Sequence, residues 1–124
     1  MSKDQARNEA TATATSEPKP LAKREKRTIT EIRESKKTKE KMIYMSVPDY
    51  ISAKWAELAG VDVAVIGDSL AMVAHGHPST IPATMDMMIL HAHAVRRGAP
   101  NTFTLGCMPY QSYNTVDRAL TRRS

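Results

Sequence analysis

The sequence predicts an α/β chain with parallel strands, and three observations predict it. Short apolar runs alternate with stretches of helical period in the order β-α-β-α-β-α. The middle run, Val61–Ile66, is β-branched and nearly continuous, as in a strand buried on both faces. The connections are short, which suits right-handed crossovers between parallel strands. Two architectures satisfy this order: an open doubly wound sheet and a (β/α) barrel. Three parallel strands leave two unpaired edges, and a full barrel takes on the order of 250 residues. A chain of 124 residues is therefore expected to hold about the first third of a larger fold, as a gene fragment or with partner chains covering its edges.

Each element has a local cause. Residues 1–27 combine the Ala/Thr alternation of Ala10–Thr15, the Glu17-Pro18-Lys19-Pro20 run and the charged Lys23–Arg27 cluster, and read as a disordered basic tail. Thr28-Ile29-Thr30-Glu31 matches the capping box of a short helix with Ile29 and Ile32 on its apolar stripe, before Lys36–Lys41 returns to solvent. Residues 28–124 are expected to form a partial α/β domain of one of these two types. Met42–Val47 suits a strand stopped by Pro48. Asp49–Ala59 follows at helical period, with Ile51, Trp55 and Leu58 as its core stripe and Gly60 just past its end. After Val61–Ile66, Gly67-Asp68-Ser69 ends the strand abruptly, and residues 70–83 read as a loop. Thr84 caps a second long helix with Asp86 in its first turn and Arg96 and Arg97 in its last, complementing the helix dipole, and Gly98 and Pro100 terminate it. Thr102–Leu105 is the third strand, and Asn114 or Thr115 caps a last helix, Val116–Leu120.

Composition narrows the function classes. The chain carries 18 Lys plus Arg against 13 Asp plus Glu. Residues 1–41 hold 12 basic and 7 acidic side chains, while residues 42–124 hold 6 of each. The excess charge thus lies on the tail and not on the fold, which argues against a nucleic-acid module. The single cysteine, Cys107, cannot form an internal disulfide, so a reducing, cytoplasmic setting is expected. No apolar run approaches the roughly 20 residues of a membrane span, and the acidic residues Asp4 and Glu9 argue against a mitochondrial presequence.

In either architecture chemistry collects where strands end at their C-termini. Gly67-Asp68-Ser69 and Gly106-Cys107 are two such ends, one βαβ unit apart. A carboxylate directly after a buried strand is desolvated unless something pairs it; a divalent cation is one partner, and capping its own turn is another role for Asp68. His91 and His93 sit roughly 200° apart round a helix and cannot share a metal. His75 and His77 have no Cys or carboxylate nearby in sequence to complete a site, and read as loop histidines bonded to backbone. Cys107 has no adjacent His or Lys to activate it and reads as a small buried hydrophobe. Met85, Met87, Met88, Ile89 and Leu90 read as packing against the sheet. No GxGxxG or Walker-type loop is present to cradle a nucleotide.

Three segments carry a family resemblance: Val65-Ile66-Gly67-Asp68-Ser69-Leu70-Ala71-Met72, Gly76-His77-Pro78-Ser79-Thr80-Ile81-Pro82, and Ala94-Val95-Arg96-Arg97-Gly98-Ala99-Pro100-Asn101. At this spacing the sequence resembles the ketopantoate (3-methyl-2-oxobutanoate) hydroxymethyltransferases, from near Thr28 to about Leu120. The resemblance implies a (β/α)8 TIM barrel of the phosphoenolpyruvate/pyruvate type, cytoplasmic, magnesium-dependent and homo-oligomeric. It implies hydroxymethyl transfer from 5,10-methylenetetrahydrofolate to 3-methyl-2-oxobutanoate, giving ketopantoate for pantothenate biosynthesis. Asp68 matches the first metal ligand and Ser69 a contact to the keto acid. Cys107 stands where the family places an Asp serving both metal and substrate, in the departing run Gly106-Cys107-Met108-Pro109-Tyr110. The family's substrate Lys, a further metal-associated Glu and its general-base Glu would all fall beyond Ser124. The alternative expectation is therefore an inactive fragment or divergent paralogue that acts only through binding or assembly.

Overall fold

The computed structural model describes residues 25–121. Residues 1–24, most of the expected tail, lie outside that range. The elements run α1 (Ile29–Thr38), β1 (Tyr44–Ser46), α2 (Tyr50–Leu58), β2 (Val63–Ile66), α3 (Leu70–Val73), α4 (Met85–Gly98), β3 (Phe103–Gly106) and α5 (Val116–Thr121). The three strands form one parallel sheet in the order β1-β2-β3, with Tyr44 opposite Val63 and Val63 opposite Phe103. The α/β class and the parallel sheet agree with the sequence pattern.

Helix ends follow their caps. At α1 the Thr28 hydroxyl accepts from the Glu31 amide at 3.3 Å while the Glu31 carboxylate accepts from the Thr28 amide at 2.6 Å. At α2 Asp49 and Ser52 exchange the same pair of bonds, and Gly60 takes a positive φ of 78° just past the Ala59 cap, where a side chain would be strained. Thr84 accepts from the Met87 amide, and Thr115 from the Arg118 amide, which settles the choice between Asn114 and Thr115.

Packing refines several expectations. The stripe Ile51, Trp55 and Leu58 does not face the core; these side chains are exposed, and Ala53 and Ala56, on the opposite side of α2, are buried instead. Small residues there let α2 lie close to α4, within a core of Val47, Ala64, Ile66, Leu70, Met88, Val95 and Ala99. Helix α4 ends at Gly98, as expected, but close packing and not a left-handed turn requires glycine there. Gly98 is the last helical residue and is buried against α2, where a Cβ would collide with the Tyr50 carbonyl oxygen and lie 3.0 Å from the Ala53 Cβ. Residues 70–83 are not wholly loop, because Leu70 and Ala71 are buried and fold into the one-turn helix α3. The methionine-rich start of α4 packs only in part: Met88 is buried and Met87 lies against the core, but Leu90 is exposed.

Polar contacts fix the N-terminal end of the sheet. Arg27 donates to Glu40 at 2.7 Å and pairs with Asp62 at 3.5 Å, and Asp62, just before β2, accepts from the Ile43 amide at 2.9 Å. Glu57, near the end of α2, accepts from the Asn101 amide, the Asn101 side chain, the Thr102 amide and the Thr102 hydroxyl at 2.9–3.2 Å. One carboxylate thereby ties a helix end to the segment entering β3.

Candidate functional site

All three strands are parallel, so their C-terminal ends share one rim, opposite the Arg27–Asp62 end. Two ladder bonds extend the sheet past its strands there: the Val47 amide donates to Val65 and the Cys107 amide donates to Ile66, each at 2.9 Å. The second bond sets Cys107 next to the chain just before Gly67-Asp68-Ser69. Asp68 and Cys107, distant in sequence, thus sit at adjacent strand ends on the same rim.

The Gly67-Asp68-Ser69 corner turns directly into α3, with the Leu70 amide donating to Gly67 and the Ala71 amide to Asp68 at 3.1 Å each. A Cβ at Gly67 would lie 3.0 Å from the Ser69 Oγ, a tight contact that a larger residue would relieve by turning the Ser69 side chain. Ser69 occupies the cap position of α3 without a side-chain capping bond, so its hydroxyl is not consumed by the helix. The half-buried Asp68 side chain caps no backbone amide among the described residues, contrary to its simpler structural role. Cys107 is exposed, so the buried-hydrophobe reading of this thiol fails.

A magnesium ion favours hard oxygen donors. Asp68 supplies one; the Cys107 thiol is soft and does not fit the same ion. Among the described residues no three His, Cys, Asp or Glu side chains gather into a metal-binding group. Of the two strand-end residues singled out by the sequence, only Asp68 therefore fits magnesium.

The histidines pair in a way that their spacing did not indicate. The sequence sets His75 beside His77 and His91 beside His93, but the structure joins His75 to His91, with the two Nε2 atoms 2.9 Å apart. His91 Nδ1 bonds the Pro48 carbonyl oxygen. The backbone partner expected for the loop histidines thus belongs to the helical His91. A second feature with no sequence signal is a cavity of about 260 Å³ between the start of α4 and the segment after β3, lined by Thr84, Met85, Tyr110, Gln111 and Arg118 among others. Neither Asp68 nor Cys107 borders it.

The fold and its rim define the class first: a parallel α/β chain with its candidate polar groups at the carboxyl ends of the strands. The family model for ketopantoate hydroxymethyltransferase matches residues 26–123. The chain is 86% identical over 97 residues to 3-methyl-2-oxobutanoate hydroxymethyltransferase 1 of Methylibium petroleiphilum, covering 78% of this chain and 33% of that protein. It is 46% identical over 95 residues to the 3-methyl-2-oxobutanoate hydroxymethyltransferase of Thermus thermophilus, covering 77% and 36%, and 41% identical over 99 residues to that of Alkaliphilus metalliredigens, covering 80% and 35%. The chain belongs to the ketopantoate hydroxymethyltransferase family. It spans about a third of the length of the curated relatives it matches.

Proposed function

We propose that the chain forms the opening β/α units of a (β/α)8 barrel that transfers a hydroxymethyl group from 5,10-methylenetetrahydrofolate to 3-methyl-2-oxobutanoate, giving ketopantoate. The observation that carries this reading is the 86% identity over 97 residues to a relative bearing that enzyme's name. The geometry is compatible with it. The half-buried Asp68 and Ser69 lie at a strand's carboxyl end, where a small keto acid could accept a hydrogen bond from the Ser69 hydroxyl. Asp68 is the residue that would hold a magnesium ion. The reaction requires loss of the proton at C3 of the keto acid and formation of a bond from that carbon to the folate-borne methylene carbon; one water supplies the hydroxyl oxygen and tetrahydrofolate leaves. A cytoplasmic, homo-oligomeric enzyme of pantothenate biosynthesis is part of the same reading; no helix among the described residues is long and apolar enough to cross a membrane.

A second reading, a non-catalytic chain acting through binding or assembly, is favoured by Cys107 standing at a position where a carboxylate would serve the cation. One experiment separates the two. The protein is incubated with 3-methyl-2-oxobutanoate, magnesium and 5,10-methylenetetrahydrofolate carrying ¹³C in its methylene group. Appearance of ¹³C in ketopantoate is the result expected of the enzyme. No label in product, with the keto acid nonetheless bound, would assign the chain to the second reading.

A further inference from the structure

We propose that His75 and His91 form an acid-opened latch that ties the segment following the Asp68 corner to the helix α4 and to the junction between β1 and α2. Hydrogen-bond chemistry fixes the protons in the closed state. The Pro48 carbonyl oxygen can only accept, so His91 Nδ1 carries a hydrogen and donates it. A neutral His91 then presents a bare Nε2. The nitrogen facing it at 2.9 Å, His75 Nε2, must supply the proton between them. The ring centroids are 5.2 Å apart with planes at 77°, so the rings meet end to end, which suits a shared proton better than a cation coordinated off the line joining them.

Three chain segments meet at this one contact. His75 belongs to the turn after α3, where the His75 amide donates to Leu70, the Gly76 amide to Met72 and the His77 amide to Ala71. Gly76 takes a φ of 72° in this turn, a conformation that glycine adopts without strain. Pro48 belongs to the segment leaving β1, and His91 lies mid-way along α4. The latch thus fastens two of the rim segments, those after β1 and β2, to a single helix.

Protonating one ring leaves one hydrogen between the two nitrogens and strengthens the bond with a charge. Protonating both sets two N–H groups and two positive charges against each other, and the contact cannot persist. The titratable neighbours are Asp49, one residue beyond Pro48, and His77, whose ring stacks at 6.5 Å from His75. Asp49 is held below its ordinary carboxylate range chiefly by the Ser52 amide, with His91 adding to the effect. Its negative charge favours the singly protonated, closed pair, whereas a charged His77 favours opening.

The test is nitrogen-15 NMR of the histidine rings and the backbone amides of the chain, starting at about pH 7.5 and followed downward through the protonation of both rings. At the higher pH His91 is expected as the Nδ1–H form and His75 as the Nε2–H form. On acidification the amides of Gly76 and His77 should shift together with both rings. In His75→Gln, an exposed site, those amides should lose their acid response, while in His77→Gln they should keep it. The proposal is overturned if His91 is found protonated on Nε2 alone at the higher pH. It is equally overturned if the Gly76 and His77 amides ignore acid in the wild-type chain, or respond to it unchanged in His75→Gln.

Discussion

Replacing Gly98 with Ala tests the α2–α4 packing that places the rim segments. An alanine in a helix is normally better than glycine, by roughly 0.5–1 kcal/mol. Here the added Cβ would collide with the Tyr50 carbonyl oxygen and lie 3.2 Å from the Lys54 amide nitrogen and 3.0 Å from the Ala53 Cβ. Two of these three neighbours are backbone, which cannot rotate away, so α2 must move off α4 as a body. Overpacking of this kind costs about 1–3 kcal/mol, and a backbone obstacle belongs at the upper end of that range. The net effect is a loss of about 1–2 kcal/mol, or roughly 4–16 °C in Tm for a domain of this size. Urea unfolding followed by far-ultraviolet circular dichroism measures it. A variant as stable as the wild type, or more stable, would refute the close approach of the two helices.

Further substitutions probe single interactions. Glu57→Ala removes four hydrogen bonds that join α2 to the segment before β3, and should cost about 1.5–3 kcal/mol in urea unfolding, with Glu57→Gln recovering part of the loss. The Thr104 hydroxyl is buried with no hydrogen-bond partner among the described residues, so Thr104→Val should stabilise the fold by about 1 kcal/mol and raise the Tm. Asp49→Ala should cost about 1 kcal/mol near neutral pH through loss of the α2 cap. Because the folded state lowers the Asp49 pKa, mainly through the Ser52 amide, this contribution is present above the ordinary carboxylate range and is lost as pH falls through the lowered value. The stability gap between wild type and Asp49→Ala should therefore narrow in acid; a gap that widens would reverse the sign assigned to the cap.

What could be read in advance was governed by local chemistry. The capping box at Thr28, the Thr84 cap and the β-α order need only neighbouring residues, and the structure reproduces each. What could not be read depended on contacts across the fold. The stripe Ile51, Trp55 and Leu58 has the period of a core face, yet α2 turns its alanine side inward against α4 because small residues permit closer packing with Gly98. α3 is a single turn with two buried residues, too short for a periodic signal. The meeting of His75 with His91 joins residues 16 positions apart across a bend, and nothing in their spacing marks it. The positions of Asp68 and Cys107 were legible because parallel strands put their carboxyl ends on one rim. The exposure of Cys107 was not, since its environment depends on how the chain leaves β3.

The account rests on Asp68 serving the keto acid's chemistry at the end of β2. Deuterium uptake at C3 of 3-methyl-2-oxobutanoate in heavy water, followed by proton NMR with magnesium present, measures that chemistry without the folate step. Within a barrel that supplies the general base expected beyond Ser124, the protein is predicted to catalyse the exchange, and Asp68→Asn to lose it by about a hundredfold or more. Exchange at the wild-type rate in Asp68→Asn would contradict the account.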